Sequence, residues 1–180
     1  NVKIGENCII GSFVIIKNSL IGNSVNLKDG SKIGIKGFGF IAAKKKNIRT
    51  PQIGKVILED GVEIGSNCTI DRGSISDTII GKNTFLDNQV HVGHDTVIGK
   101  RCLIASQVGI AGCVLIEDFV TIWGQVGITS GVTIGEKAII SAQSGVSKSL
   151  PGHKSYFGTP ADDFRKKYKE LASIRLIPDI

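Results

Sequence analysis

Aliphatic residues recur along this chain at every sixth position. Val92, Ile98, Ile104, Ile110, Ile116, Ile122, Ile128, Ile134, Ile140 and Val146 form an unbroken series at that spacing. Neither the 3.6-residue period of a helix nor the two-residue period of an ordinary strand generates it, so the period belongs to a repeat unit. The following residue is small at Gly93, Gly99, Ala105, Ala111 and Gly135, while Glu117, Trp123 and Thr129 relax that preference. Upstream the pattern continues in shifted phases, at Ile4, Ile10 and Ile16, then Ile21, Leu27 and Ile33, then Leu58, Ile64 and Ile70, then Ile80 and Leu86. Each shift marks inserted or deleted loop residues.

A six-residue unit with one inward aliphatic is a short strand plus a corner, and three such units close a triangular coil of 18 residues. Stacked coils pair as parallel strands roughly 4.8 Å apart and bury a column of Ile and Val. β-branched residues suit the strands, and Gly and Asn suit corners that need positive φ. The pattern predicts an all-β solenoid, a parallel β-helix of hexapeptide repeats, which resembles the left-handed form.

Two segments depart from the repeat. Residues 35–54 hold Gly37-Phe38-Gly39-Phe40, a basic cluster and Pro51, and are expected to bulge from the solenoid as a loop able to carry binding residues. After a solenoid of residues 1–158, residues 159–180 predict a short C-terminal helix. Thr159 is its expected cap, Pro160 its first position, and Asp162 and Asp163 suit its positive end. Phe164, Tyr168 and Leu171 share one face, and the helix is expected to run to about Leu176, before Pro178, covering the open coil or a neighbouring subunit.

With 180 residues, 41% hydrophobic and 21% charged, the composition is that of one globular domain and excludes a disordered tail. No apolar run is long enough to cross a bilayer as a helix. The chain opens at Asn1 without a signal-like segment and contains no Met, which suggests a piece of a longer protein. Cys8, Cys68, Cys102 and Cys113 form neither a disulfide framework nor a zinc knuckle, pointing to a reducing, cytoplasmic compartment and no metal. The net charge of +6 traces to Lys36, Lys44, Lys45, Lys46, Arg49 and Lys55, a stretch with no acid. Without interleaved aromatics it does not read as a nucleic-acid surface; a solvated loop or an acidic or phosphate-bearing partner are its readings.

Chemistry in such a solenoid is found by superposing residues one coil apart. His94 then stacks under Gly112, Ser130 and Lys148. A His beside an approachable Gly amide can be a base with an oxyanion donor, or a solvated corner residue. His91, three residues earlier, is its partner or an exposed strand residue; His153 reads as a loop residue, and Asp87 and Asn88 as turn formers at another corner.

Several motifs in order carry a resemblance that covers nearly the whole chain. They are Gly37-Phe38-Gly39-Phe40 with Pro51-Gln52-Ile53-Gly54, Thr69-Ile70-Asp71-Arg72-Gly73, the run from Asp87 to His94, Gly109-Ile110-Ala111-Gly112, Ser144-Gly145-Val146 and Gly158-Thr159-Pro160-Ala161. Together they resemble the UDP-3-O-(3-hydroxyacyl)glucosamine N-acyltransferase family of lipid A biosynthesis. The resemblance implies transfer of an acyl chain from acyl carrier protein to the 2-amine of a UDP-linked acylglucosamine. No cofactor is implied beyond the carrier's acyl-phosphopantetheine as co-substrate. It further implies His94 as base, Asp87 as the acid that orients it, and Gly112 as the oxyanion amide. Asn88, Gln89, His91, Phe38 and Phe40 fall to the acceptor, and Lys148, Arg165, Lys166 and Lys167 to the acidic carrier. Members of that family are homotrimers with sites between subunits.

The chain departs from the family in having Gly131 where a second His is common, in lacking the N-terminal uridine-binding domain, and in its Lys44-Lys45-Lys46 cluster. Two other classes share the solenoid: an acetyl-CoA-dependent nucleotide-amino-sugar N-acetyltransferase and a non-catalytic scaffold. A γ-type carbonic anhydrase needs three zinc-binding His, and the coils supply only His91 and His94.

Overall fold

The structure is a computed structural model that describes residues 1–174. It is a parallel β-solenoid, triangular in section, closed at its C-terminal end by a small hairpin and one helix. The first face stacks seven strands from Val2–Ile4 to Thr133–Ile134, the third seven from Ile15–Ile16 to Gly145–Val146. The second face stacks nine, of which the last pair, Ser155–Phe157 and Asp162–Asp163, is antiparallel.

Most strands contribute only two residues, one out and one in, as the hexad predicts. His91↔Gly109 and Val92↔Ile110 show the register of one coil on the next. Ile98, Ile104, Ile110, Ile116 and Ile122 are all fully buried, in three stacks, Ile98 on Ile116, Ile104 on Ile122 and Ile110 on Ile128, one per face, that together make the core column. Each such side chain contributes about 1.5–3 kcal/mol through burial, so the column, not any single strand, holds the coils together. Amides stack coil on coil, as in Gly93 N–H donating to the Ile110 carbonyl (2.8 Å) and Gly99 N–H to that of Ile116 (2.7 Å).

The corners have positive φ as expected, but Gly and Asn do not dominate them. Gln89, Asp95, Arg101, Gln107, Cys113, Phe119, Gln125, Lys137 and Gln143 all sit there, with φ between 55° and 61°. Several of these side chains contact the neighbouring coil. Gln107 Nε2–H donates to Gln89 Oε1 (3.0 Å), Gln125 to Gln107 (2.8 Å) and Gln143 to Gln125 (3.0 Å). At another corner Arg101 and Lys137 lie against the Phe119 ring, at 5.8 and 5.6 Å.

The 35–54 segment is more ordered than a loop. After the strand Lys32–Ile35 it rises as an antiparallel hairpin, Phe40–Ala42 against Asn47–Arg49, with Lys44, Lys45 and Lys46 at its exposed tip. Gly37 N–H donates to Gln52 Oε1 (2.7 Å), Arg49 to the Gly37 carbonyl (3.0 Å), and Arg72 to the Gly54 carbonyl (2.7 Å), fixing the hairpin's root beside the third face.

The C-terminal helix spans Phe164–Ile174, and its expected end near Leu176 and Pro178 lies outside the described residues. Thr159 does not cap it. Residues 158–161 turn the chain back, and the cap is Asp163, whose Oδ1 accepts from the Arg165 (3.1 Å) and Lys166 (3.3 Å) amides. The helix packs on the two terminal strands. No helix among the described residues is long and apolar enough to cross a membrane.

Candidate functional site

His94 stands at the corner between the third and first faces, two residues past the buried Val92. Its Nδ1–H donates to Asp95 Oδ2 at 2.8 Å, and Ser74 Oγ lies 3.2 Å from the same nitrogen. Asp95 is held rigidly. Its Oδ1 accepts from the amides of Ser74 (2.9 Å), Ser76 (3.1 Å) and Ile75 (3.3 Å). Its own amide donates to Thr78 Oγ1 at 3.0 Å. Partial burial pushes its carboxyl up, but the hydrogen bonds from His94 and Ser74 outweigh this and hold it below the usual carboxylate range. With Nδ1–H fixed on a carboxylate, the Nε2 lone pair is free to accept a proton.

Gly112 lies one coil on, against the imidazole. A Cβ placed on it would be 2.8 Å from His94 Cε1 and 2.9 Å from Nε2, so only glycine leaves the ring its position. The amides on either side are used, Ala111 N–H by the Ile128 carbonyl and Cys113 N–H by that of His94. The Gly112 N–H has no acceptor among the described residues, which leaves it available to an oxyanion. The two groups open on a cavity of about 430 Å³ lined by Phe38, Asp71, His91, Gly93, Cys113 and Ser130 as well.

His91 belongs to this cavity rather than to solvent alone. Its Nδ1 is 2.8 Å from Thr69 Oγ1 and its Nε2 is 3.6 Å from the buried Asp71 carboxylate. Burial raises the Asp71 carboxyl, and the neighbouring His91 and His94 pull it partly back. Phe38 lines the cavity mouth; Phe40 meets it edge-on with ring centroids 5.1 Å apart and carries Arg49 over its own face at 4.5 Å.

Other expected residues do not converge here within one chain. Within this chain Asp87 does not reach His94: it stands at the corner between the second and third faces, where its Oδ1 accepts from the Asn88 amide (2.7 Å), and the acid on His94 is Asp95. The expectation failed because the hexad moves each successive corner to a new edge of the triangle, seven residues being little more than one corner. Asn88 Oδ1 accepts from the Ser66 amide (2.8 Å), and Gln89 begins the glutamine ladder. Asp87 instead borders an apolar groove of about 480 Å³ on the second face, with Phe85, Leu103, Trp123 and Ile139.

Lys148 stacks above the site as expected but pairs with Asp162 (3.7 Å), as does Lys166 (2.7 Å), and Lys167 pairs with Glu170 (2.9 Å). Arg165 borders a separate hollow with His153 and Phe164.

The residues around His94 and His91 that the sequence did not single out are Asp95, Asp71 and Ser74. Asp71 had left a trace: it occupies the place after an inward aliphatic that Gly34, Gly93 and Ala111 fill on the same face. Ser74 lies in residues 72–77, a second interruption of the repeat visible only as a phase shift. His94, Asp95 and Cys113 also form a group able to approach one cation.

Fold and site together define a hexapeptide-repeat β-solenoid with a His–Asp pair and a glycine amide at one corner. A family profile described as "Bacterial transferase hexapeptide (six repeats)" matches residues 77–112. The chain is 47% identical to a UDP-3-O-acylglucosamine N-acyltransferase of Rhizobium rhizogenes over 88 residues, and 48% identical to that of Rhodopseudomonas palustris over 90. Those matches take in 49% and 50% of this chain and 25% of each relative, so the chain spans about a quarter of the curated relatives it matches. The likeness read from the motifs is thus borne out over half of the chain. Among solved structures, the Francisella novicida UDP-N-acetylglucosamine acyltransferase superposes with a TM-score of 0.81 at 26% identity, covering 95% of this chain and 63% of that one. The Bacteroides fragilis UDP-N-acetylglucosamine acyltransferase gives 0.76 at 28%, covering 90% and 69%.

Proposed function

We propose that the chain carries the catalytic part of an N-acyltransferase that moves a 3-hydroxyacyl chain from acyl carrier protein to the 2-amine of UDP-3-O-acylglucosamine. The observation that carries this reading is His94 fixed by Asp95 with its Nε2 against the free amide of Gly112. The neutral amine attacks the thioester carbonyl while His94 Nε2 takes its proton. The tetrahedral oxyanion rests on the Gly112 N–H. Collapse breaks the C–S bond, and the leaving thiolate takes the proton from His94. No covalent acyl-enzyme is needed.

The Phe38–Phe40 root of the basic hairpin shapes the acceptor side, and Lys148, Arg165, Lys166 and Lys167 form the edge that meets the acidic carrier. Assembly as a homotrimer supports the remaining expectations, because Asp87, Asn88 and Gln89 lie at a different corner from His94 and reach it only from another subunit. Four free cysteines suit a cytoplasmic setting.

The test is acyl transfer to UDP-3-O-acylglucosamine from a panel of carrier and CoA thioesters, for the parent and His94→Ala. The expected result is carrier-linked long-chain transfer that falls by about 100- to 10,000-fold in the variant. Turnover of acetyl-CoA alone indicates the N-acetyltransferase class, and an unaffected variant indicates a scaffold.

A further inference from the structure

The cavity holds a second His–acid pair that the mechanism above does not use. The Asp71 side chain is 5% exposed, no hydrogen bond reaches its carboxylate among the described residues, and His91 Nε2 lies 3.6 Å from it, with His94 also in electrostatic reach. That separation is too long for a hydrogen bond. Thr69 Oγ1 bonds His91 Nδ1 at 2.8 Å; in the ring form that carries its proton on Nδ1, the Nε2 lone pair and the carboxylate face each other across a gap, two acceptors without a donor. The Asp71 carboxylate lines the cavity, where a ligand can supply the donors it lacks.

Resting on the N-acyltransferase reading, we infer that Asp71 and His91 form an ammonium-receiving pair, which selects an amine over a hydroxyl acceptor and takes its first proton. An amino sugar arrives largely as R–NH3+ at neutral pH and cannot attack in that form. One N–H of the ammonium donates to Asp71 and another to His91 Nε2; the proton passes to His91, leaving R–NH2 and an imidazolium beside the Asp71 carboxylate. The amine then forms the C–N bond, loses its second proton to His94, and the C–S bond breaks as described. His91 returns its proton to water before the next turnover.

The charged surroundings favour this. His94, itself paired with Asp95, acts on Asp71 from the adjoining corner. On the neighbouring coil the register partner of Asp71 is Ile35, and Gly37 packs so closely that a Cβ would meet Asp71 Oδ2. Arg49 and Arg72, the nearest guanidinium groups of the hairpin root, are turned to the carbonyls of Gly37 and Gly54. Lys36 is exposed, and Cys113 is the remaining titratable lining residue. Burial of Asp71 favours its neutral form, so ammonium binding weakens as acid is added.

Two measurements separate this inference from the reading beneath it. Calorimetric binding of UDP-glucosamine and UDP-glucose, which differ at the 2-position, is compared for the parent, Asp71→Asn and His91→Gln at pH 6.5. The parent is expected to prefer the amine by about tenfold or more, and Asp71→Asn to lose that preference, equivalent to one hydrogen bond to a charged group. Equal binding of the two sugars, or no binding of the amine, overturns the inference. In the transfer assay the variants' kcat/KM is expected to fall about tenfold per pH unit below the acceptor's pKa while the parent's falls less, the two converging in base where the acceptor is already neutral. Parallel profiles overturn the proton role. Amine preference without any transfer overturns the acyltransferase reading alone. Unchanged circular dichroism in the isosteric Asn variant identifies a folded protein.

Discussion

Two corners of the triangle are built on the same backbone and differ in what they repeat. The corner between the second and third faces stacks Gln89, Gln107, Gln125 and Gln143, one residue type in four coils, each amide bonded to the next. The corner between the third and first faces carries Asp95, Cys113 and Gly131 at the equivalent positions, preceded by His94, Gly112 and Ser130. A ladder is stabilised by sameness, since each rung offers what its neighbour needs. A reaction needs a base, an acid and an oxyanion donor side by side, and a solenoid provides these only by breaking its repeat. At these two corners repetition serves structure and variation serves chemistry, while the third corner, Arg101, Phe119 and Lys137, varies and only packs, so variation permits chemistry without marking it.

Among substitutions that keep His94, the largest expected effect comes from adding a side chain at Gly112. Gly112→Ala places a Cβ 2.8 Å from the His94 ring, displacing the base and covering the amide. Transfer is expected to fall about 100- to 1,000-fold, the loss seen when an oxyanion donor is removed. Thermal denaturation should report an intact solenoid, because Ile110 remains buried beneath. A Gly112→Ala enzyme with parental kcat would mean that the corner's irregularity carries no chemistry.

Next is Asp95→Asn, which keeps the shape but removes the charge on His94 Nδ1. Loss of one charge-assisted hydrogen bond predicts a decrease of about ten- to 100-fold in kcat. The stability consequence has a definite sign. The Asp95 pKa is lowered in the folded chain, so its contribution is complete above the ordinary carboxylate value and disappears as pH falls through the folded one. Urea midpoints of parent and Asn variant should therefore differ at pH 7 and converge in acid.

The repeat made the fold legible, because one aliphatic at every sixth place admits no other regular packing. The column from Val92 to Val146 is buried throughout, and His94 over Gly112 followed from counting 18 residues. The acid on His94 was not legible in the same way. Asp87 was favoured by its motif, yet the choice between it and Asp95 depends on which edge a corner faces and on the Ser74–Ser76 amides, which arrive from an insertion. The hairpin at residues 40–49 was likewise hidden, since its antiparallel pairing has no share in the hexad period.

A smaller effect tests how much room the irregular corner retains. At Gly131 a Cβ meets nothing within 4 Å, although φ is +73°. Gly131→His should fold, with a cost of about 1 kcal/mol for a non-glycine residue in that region. Cys113 and Asp95 already adopt it on the coils below, with φ of 60° and 58°. A gain in transfer by this variant would show that the family's second His retains a purpose here; unchanged kinetics would show that the Asp95-held His94 suffices.

The smallest effect belongs to the regular corner. Gln125→Ala removes two exposed amide bonds, at 2.8 and 3.0 Å, and leaves the Gln89–Gln107 rung in place. Exposed side-chain hydrogen bonds are in competition with water, so the expected loss is about 0.5–1 kcal/mol, read as a small decrease in the urea midpoint. Transfer should be unchanged, because the ladder lies across the triangle from His94 in the same subunit. If the variant instead loses activity while its stability holds, the ladder takes part in the site, and repetition ceases to distinguish structure from chemistry.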